Sequence, residues 1–260
     1  MKPMSKRLIL LFCIALFVMP GFSLQGPAVE GPSGRTTPEY FFTRLIYPSG
    51  GGFGRGGRSW ATDYPEADYK FMWGVERMTN ISVYPNENAV DIMDPKLFDY
   101  PYLYIVEPGR GGGMFLNPQQ VKTLREYLDR GGFLHIDDFW GVYEFQNFER
   151  EMRKLFPDRP LKELPLSHEI FHVFFDVDKV MQIPGVGSAC NGGPTWQDSS
   201  DTRPRMFGIS DENDRLMVVV TYNSDLGDAW EHMDAPCYPE LYSGQAYRMG
   251  INFIVYAMSH

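Results

Sequence analysis

The sequence predicts a single α/β domain in which a mostly parallel sheet is flanked by helices. Two observations carry this prediction. Short, almost continuously apolar runs, such as residues 102–106 and 216–222, are typical of strands that are buried on both faces. Helical patterns separate these runs along the chain, and strand–helix–strand alternation favours parallel pairing. No repeat or shift in composition indicates a second domain.

The first half of the domain alternates strands and helices. Residues 40–47 are rich in aromatic and β-branched side chains, which is typical of a strand. Pro65 opens a helical pattern, because proline suits the first turn of a helix, and residues 81–84 are predicted to form a second strand. The run at residues 102–106 then predicts a central strand.

The second half begins with a strong helix start at Asn117, because Asn caps helices well and the next residue is proline. That helix ends at a Gly pair, which leads into a buried strand at residues 133–136. An amphipathic helix is expected at residues 145–156 and a closing apolar helix at residues 243–259. The long loop at residues 184–204 predicts a lid or a binding loop.

Residues 1–23 have the pattern of a secretory signal. Basic residues precede an apolar run that is too short to span a bilayer comfortably, and small residues follow at a suitable cleavage site. We therefore expect an exported protein, periplasmic or extracellular, with an uncleaved N-terminal anchor as the alternative. Residues 24–38 are predicted to be a flexible leader. Residues 39–260 are then the α/β domain, and no membrane span is expected in the mature chain.

Charge and cysteine content limit the partners. The net charge of −9 disfavours nucleic acid and anionic lipid, because both are polyanions. Cys13 lies in the signal, so the exported chain keeps Cys190 and Cys237. Both lie in Gly- and Pro-rich segments, and an oxidising compartment favours their pairing. A disulfide between them is predicted, with two separate thiols as the alternative.

Polar side chains follow three of the predicted strands at the points where those strands end: Glu107, then Asp137 and Asp138, then Asn223 and Asp225. In an open α/β sheet, ligands bind in the crevice outside the carboxyl ends of the strands. These five side chains are therefore the candidate ligand-binding residues. Because side chains alternate along a strand, one of the two adjacent aspartates is expected to face the crevice and the other to cap the following helix.

The carboxylates also suggest particular ligands. The side chains that follow the strand at residues 216–222, together with Asp137 or Asp138, offer the oxygen atoms that Ca²⁺ or Mg²⁺ prefers: Asn223, Asp225, Asp228 and Glu231. The same groups suit sugar hydroxyls beside Trp230. The alternative is a polar loop with an Asx-type turn, which needs no ligand.

Residues 168–172 read His-Glu-Ile-Phe-His, the HExxH pattern of zinc peptidases. On a helix, His168 and His172 would share one face and bind Zn²⁺, with Glu169 as the general base. The pattern lacks a third ligand at an obvious position, since Phe175 and Asp178 stand where metzincins have Gly and His. The segment also resembles a strand. The alternative is that both imidazoles cap and pack a turn.

A glycine-rich loop at residues 49–59 contains a literal GxGxxG. Its third glycine does not open a helix and no GK[ST] follows, so nucleotide binding is disfavoured. We expect the loop to present Arg55 and Arg58 to a partner or an anionic ligand. The sequence also lacks a Gly-x-Ser-x-Gly elbow, which disfavours a serine hydrolase.

Several segments, taken in order, resemble an uncharacterised bacterial family, the domain of unknown function numbered 4159. They lie within residues 40–258 and read FFTRLIY, DYP, FDYPYLYI, LREYLDRGGFLHIDD, LPLSHEIFHVFF, YNSDLGDAWE and RMGINFIVYAM. That family resembles the flavodoxin-type folds of class I glutamine amidotransferases. The resemblance implies no established activity. The sequence also lacks the strand–Cys–helix elbow of the amidotransferases, so their catalysis is not expected.

The hypothesis from the sequence is a non-catalytic binding module of the cell envelope. It would bind a small polar ligand or an envelope protein at the strand ends, and it needs no cofactor. The alternative is a metal-dependent hydrolase, which would use either Zn²⁺ at the HExxH pattern or Ca²⁺ or Mg²⁺ at the carboxylates.

Overall fold

The computed structural model describes residues 38–49 and 59–260. The predicted signal at residues 1–23, nearly all of the 24–38 leader and most of the glycine-rich loop, including Arg55 and Arg58, lie outside the described residues.

The described residues form one sheet of seven strands: β1 (Arg44–Ile46), β2 (Ala89–Asp91), β3 (Tyr102–Val106), β4 (Phe133–Asp137), β5 (Lys162–Glu163), β6 (Arg205–Ser210) and β7 (Leu216–Tyr222). The strand order is β2-β1-β3-β4-β7-β6-β5. Strands β2, β1, β3, β4 and β7 are parallel, whereas β6 runs antiparallel to both of its neighbours. The parallel part has the 2-1-3-4-5 order of flavodoxin-like, doubly wound sheets. The predicted fold class is confirmed.

Helices cover both faces of the sheet. They are α1 (Glu66–Met78), α2 (Pro118–Asp129), α3 (Gly141–Leu155), α4 (Val186–Asn191), α5 (Leu226–Glu231) and α6 (Glu240–Ser259). Apolar residues of α1, α5 and α6 pack on one face, and those of α2 and α3 pack on the other. Within residues 38–49 and 59–260, no helix is long and apolar enough to cross a membrane.

Strand β3 shows why the central strands read as continuous apolar runs. Tyr102 and Tyr104 pack with α1, α5 and α6, whereas Leu103 and Ile105 pack with α2 and α3. Successive side chains of a strand point to opposite faces, and both faces are covered here. Every position of the strand is therefore buried, and the sequence carries no polar alternation.

Some elements differ from the sequence prediction. Residues 81–84 form no strand, and Val83 makes only an isolated bridge with Tyr40. The edge strand is β2, which has only three residues and a single buried side chain. Helix α3 begins at Gly141 rather than at residue 145, and α4 interrupts the long loop at residues 184–204. Short edge strands carry too few buried positions to produce a readable pattern.

The predicted disulfide between Cys190 and Cys237 is confirmed. Their Cα atoms lie 4.8 Å apart, within the usual range for a bridge. The bond fastens α4 to the segment that precedes α6. This connection matters for the site because residues of α4 and its N-terminal flank form one wall of a cleft.

Candidate functional site

A cleft of about 410 Å³ opens at the carboxyl ends of the parallel strands. It lies between the segments that follow β1 and β3, where the strand order reverses and doubly wound sheets bind ligands. Among the described residues, the charged side chains that line it are five carboxylates and one guanidinium: Asp63, Glu107, Asp138, Asp225, Asp228 and Arg110.

Three of the lining carboxylates belong to residues with a left-handed backbone. The φ angles are 61° at Asp63, 54° at Glu107 and 52° at Asp138. This conformation costs roughly 1–3 kcal/mol at a residue other than glycine, and such residues cluster at functional sites. Here the left-handed residue follows directly after β3 and after β4. The chain turns sharply at each strand end, and both side chains line the cleft.

Buried Arg44 fastens the loop that carries Asp63. The Arg44 side chain lies in β1 and its Nε donates to both carboxylate oxygens of Asp68, at 2.8 and 3.1 Å. Its Nη1 donates to the carbonyl oxygens of Trp60, at 3.1 Å, and of Thr62. The guanidinium therefore ties β1 and α1 to the residues just before Asp63. Asp63 was not among the candidates from the sequence, although it lies in the DYP segment of the family resemblance.

Asp138 is the member of the aspartate pair that lines the cleft. The residue is 5% exposed, and its Oδ1 accepts a hydrogen bond from Nε1 of Trp140 at 2.6 Å. No described residue donates to its Oδ2. One oxygen of a nearly buried carboxylate is thus left to whatever occupies the cleft.

Asp137 points away from the cleft and is fully buried. Its carboxylate accepts hydrogen bonds from Tyr104 Oη at 2.8 Å and from the backbone N–H groups of Leu226 and Gly227, at 2.9 and 3.2 Å. Thr221 Oγ1 is a further donor. Asp137 therefore anchors the start of α5, instead of capping α3 as the sequence led us to expect.

Asn223 has a similar supporting position. It is fully buried, and its Oδ1 accepts from the Gly141 N–H at 2.9 Å. Its Nδ2 donates to the carbonyl oxygens of Asp201 and Arg203, at 2.9 and 2.8 Å. All of its polar groups are engaged, and it does not line the cleft. Asp137 and Asn223 thus hold the surrounding segments in place.

Asp225 and Asp228 form the far side of the cleft. Asp225 Oδ1 caps α5 by accepting from the Asp228 N–H at 2.8 Å, and Asp228 Oδ2 accepts from the Val186 N–H at 2.6 Å. Carboxylate oxygens of Asp63, Asp225 and Asp228 all lie within 4.8 Å of one another. Two oxygens bound to one Ca²⁺ at about 2.4 Å are at most about 4.8 Å apart. The three carboxylates therefore meet this spacing requirement for one divalent cation.

Gly185 keeps the space between these groups open. A Cβ on this residue would lie 3.1 Å from both Asp225 Oδ2 and Asp228 Oδ2, and 2.9 Å from Gln197 Nε2. Two carboxylate oxygens and a side-chain amide thus converge on a point beside the Gly185 Cα. Any larger residue at this position would fill that point with its own side chain.

Burial and like charge oppose ionisation of the cleft carboxylates. Burial, followed by the charge of Asp228, raises the pKa of Asp63 well above its usual range. Burial and then the charge of Glu107 do the same to the pKa of Asp138. The pKa of Asp225 is also raised by burial, with Asp138 as the next cause. A bound cation would relieve the repulsion that these shifts report.

Arg110 is the only cationic side chain among the described residues that line the cleft. It forms an ion pair with Glu107, which is the main cause that raises the pKa of Arg110. The other Glu107 oxygen accepts from Thr62 Oγ1 at 2.9 Å. Five carboxylates therefore face a single guanidinium.

The HExxH segment has a different structure from the helix of a zinc peptidase. Glu169–Phe171 is a single 3₁₀ turn, and His168 Nδ1 accepts from the backbone N–H two residues later, at 3.2 Å. His172 is bonded through both ring nitrogens, to Asp176 Oδ1 at 3.0 Å and to the Leu166 carbonyl oxygen at 2.7 Å. The segment matches the alternative in which both imidazoles cap and pack a turn.

The cleft and the HExxH segment also differ in whether potential metal ligands converge. Within the described part of the chain, the groups of three with ligand atoms within 4.8 Å are Asp63–Asp225–Asp228 and Asp228–Glu231–His232. Neither group contains a residue of the HExxH segment. The geometry therefore offers no support for zinc at that segment.

Trp230 does not offer a platform for sugars. The indole is fully buried and stacks on Phe71, with ring centroids 4.0 Å apart. The sequence prediction of sugar hydroxyls beside Trp230 is wrong in this detail, because α5 turns the ring into the core while its aspartates face the cleft.

The model of one protein family matches most of the chain. It is described as a domain of unknown function (DUF4159), and it covers residues 42–258. The chain belongs to that family, as its sequence segments indicated. No curated protein matches the sequence. The likeness to class I glutamine amidotransferases stays a prediction, and the function has to be argued from the cleft itself.

Proposed function

We propose that the protein is an exported ligand-binding module whose strand-end cleft holds a divalent cation of the Ca²⁺ or Mg²⁺ class. The observation that carries this proposal is the convergence of Asp63, Asp225 and Asp228 within 4.8 Å. Asp63 is far in the sequence from Asp225 and Asp228, which lie together at the start of α5, and both segments are fastened by hydrogen bonds.

The charge balance supports the same proposal. Carboxylates taken out of water are destabilising unless they are paired or coordinate a metal. The cleft collects five carboxylates around Arg110, and that guanidinium already pairs with Glu107. A divalent cation beside Gly185 would offset the remaining negative charge where the carboxylate oxygens lie closest. Oxygen ligands of this kind suit Ca²⁺ and Mg²⁺ better than Zn²⁺ in a structural site.

Export is supported by two independent features. The N-terminal 23 residues have the pattern of a secretory signal. The bond between Cys190 and Cys237 is of the kind that persists in oxidising compartments. Together they support a periplasmic or extracellular location.

A second candidate function is a metal-dependent hydrolase at the same cleft. The observation that favours it is Asp138, which is nearly buried beside the cation-binding carboxylates and keeps one oxygen without a described donor. Burial and neighbouring charges raise the pKa of Asp138, as is common for general acids and bases. Turnover of phosphate-ester, glycoside or peptide substrates that requires the cation and is lost in Asp138→Asn would support this candidate.

Calorimetric titration of the mature protein tests the cation. The protein is first stripped of metal with a chelator, and CaCl₂ or MgCl₂ is then titrated in. We expect one site, and at least a hundredfold weaker binding in Asp225→Asn. Loss of a residue that only hydrogen-bonds a metal ligand typically lowers metal affinity by about 10–100-fold, and Asp225 is itself a proposed ligand. Equal binding in the wild type and Asp225→Asn would contradict the proposal.

Two glycine variants sharpen the test. Gly185→Ala is expected to abolish cation binding, because the new methyl group would lie 3.1 Å from two of the carboxylate oxygens. The backbone there has a φ of −62°, which alanine tolerates. Gly244→Ala, in α6, is the matched control, because an added Cβ there meets nothing within 4 Å. It should bind the cation as the wild type does.

A further inference from the structure

We infer that the ligand of the cleft is a neutral, hydroxyl-rich molecule, a saccharide or a polyol, which coordinates the cation through vicinal hydroxyl groups. This inference rests on the proposed function, because it requires the cation. It adds the chemical class of the ligand, which follows from the charge and the hydrogen-bonding groups of the cleft.

The charge balance disfavours an anionic ligand. Among the described residues that line the cleft, the ionised carboxylates carry five negative charges, and Arg110 with one divalent cation offsets only three of them. A carboxylate or phosphate ligand would add negative charge to a site that already has an excess. A cationic ligand would compete with the metal ion for the same oxygens instead of requiring it. A neutral ligand avoids both conflicts.

Two nearly buried acceptors face the cleft without a donor. Asp138 and Asp225 are 5% and 3% exposed. One oxygen of each is engaged, by Trp140 Nε1 at 2.6 Å and by the Asp228 N–H at 2.8 Å. Among residues 38–49 and 59–260, nothing donates to the second oxygen of either. The second oxygen of Asp225 is a cation ligand in the proposed site, so the acceptor left for a ligand is the second oxygen of Asp138, and a ligand that fits here brings an O–H donor to it.

Hydroxyl groups meet both requirements at once. Each hydroxyl is one donor and two lone pairs, so its oxygen can coordinate the cation while its proton goes to a carboxylate. Ca²⁺ takes six to eight oxygen ligands, and the three aspartates leave several positions open. Arg110 and the exposed Gln197 amide also line the cleft and can donate to further ligand oxygens. The volume of about 410 Å³ lies within the range of small-molecule sites.

The experiment measures binding to the cation-saturated full-length mature protein and to the same protein in excess chelator. The neutral probes are D-mannose, D-galactose and myo-inositol, the anionic probes are D-glucuronate and D-glucose 6-phosphate, and D-glucosamine is cationic. Saturation-transfer NMR and calorimetry report the affinities. We expect at least one neutral probe to bind, and to lose about tenfold or more in affinity, or about 1.4 kcal/mol, when the cation is removed. The anionic probes should bind more weakly than the neutral ones.

Asp138→Asn separates the ligand from the metal. Asp138 is outside the cation-binding trio, so the variant should bind Ca²⁺ within about threefold of the wild type, or about 0.6 kcal/mol. Its affinity for the neutral probe should fall by at least about tenfold. The thermal unfolding midpoint checks that the variant is folded, and Glu212→Gln, at an exposed position of the loop between β6 and β7, is the control that should change neither affinity.

The outcomes distinguish the two proposals. If the cation binds but no neutral probe binds at 50 mM (about 1.8 kcal/mol of standard free energy), or if an anionic probe binds more tightly, the ligand class is wrong and the cation site stands. If a neutral probe binds equally well in chelator, the coordination through hydroxyls is wrong. If no cation binds, the proposed function fails, and the further inference fails with it.

Discussion

The HExxH turn and the strand-end cleft differ in the kind of observation that points to each of them as a metal site. The turn matches a known catalytic pattern in five consecutive residues, yet its two imidazoles make only local hydrogen bonds. The cleft matches no contiguous pattern, yet it brings Asp63, Asp225 and Asp228 within 4.8 Å. A metal site needs ligand atoms that converge on one point, and the HExxH spacing ensures this only if the segment is a helix.

The supporting contacts differ in the same way. Asp137 holds α5 through donors from two strands and from the helix start, and Arg44 holds the loop before Asp63. These positioning contacts are buried and join elements that are distant in the sequence. The four predictions below test whether the cleft, rather than the turn, is the organised site, from the largest expected effect to the smallest.

The largest effect is expected for Arg44→Met. The variant leaves Asp68, which is 2% exposed, without its cationic partner. Breaking a buried pair in this way costs about 3–5 kcal/mol of unfolding free energy, measured by urea denaturation. Cation affinity should fall as well, because the loop that carries Asp63 is released. Arg153→Met, which breaks the more exposed pair with Glu149, is the control and should cost less than about 1 kcal/mol. Equal losses would contradict the role of Arg44.

The second prediction concerns the disulfide that fastens α4. The double variant Cys190→Ser, Cys237→Ser should lose about 2–4 kcal/mol of unfolding free energy, because the unfolded chain is no longer constrained. Cation binding should weaken too, since Val186 begins the released helix and Gly185 directly precedes it. Urea denaturation and calorimetry measure both effects, and reduction of the wild type should reproduce them. A reductant should have no further effect on the double variant; if it does, the assignment to this bond is wrong.

The third prediction is a pH dependence. Burial raises the pKa values of folded Asp63, Asp138 and Asp225 above their unfolded values, so the folded state holds these protons more tightly. Their stabilising contribution is present below about pH 4, the unfolded pKa, and is lost as the pH rises through the folded pKa values. The cation-free protein should therefore lose thermal stability from this cluster over that window.

Saturating CaCl₂ should offset this loss, because the cation replaces the protons. The shift in unfolding midpoint caused by CaCl₂ should thus be larger at pH 8 than at pH 5. Asp138→Asn removes one of the repelling charges and should stabilise the cation-free protein at pH 8 by about 1 kcal/mol. A calcium-induced shift that is the same at both pH values would show that the carboxylates do not form the site.

The smallest effect is expected for His168→Ala. The variant removes one acceptor of a 3₁₀ turn, which should cost less than about 1 kcal/mol. Affinity for Ca²⁺ or Mg²⁺ should be unchanged, and elemental mass spectrometry should find the same zinc content in the variant and the wild type. Stoichiometric zinc that is lost in His168→Ala would reverse the comparison and restore the peptidase hypothesis.

The sequence predicted which residues lie at the ends of the central strands, but it did not predict that Asp63 lies at the cleft. Glu107, Asp138 and Asp225 each follow a buried apolar run, so their place at the carboxyl edge follows from the strand pattern. Asp63 follows no such run, and its position is set by the Arg44 side chain beneath the loop. The edge strands β2 and β5 were also missed, because they have only three and two residues.

The sequence by itself determined the α/β class, the central strands, the paired cysteines and the edge of the sheet at which polar side chains collect. These features depend on local periodicity, on composition and on general rules for parallel sheets. Only the tertiary structure decided that Asp138 faces the cleft while Asp137 anchors α5, and that the HExxH segment is a turn. Those outcomes depend on donors, acceptors and charges from distant segments, which become neighbours only when the chain has folded.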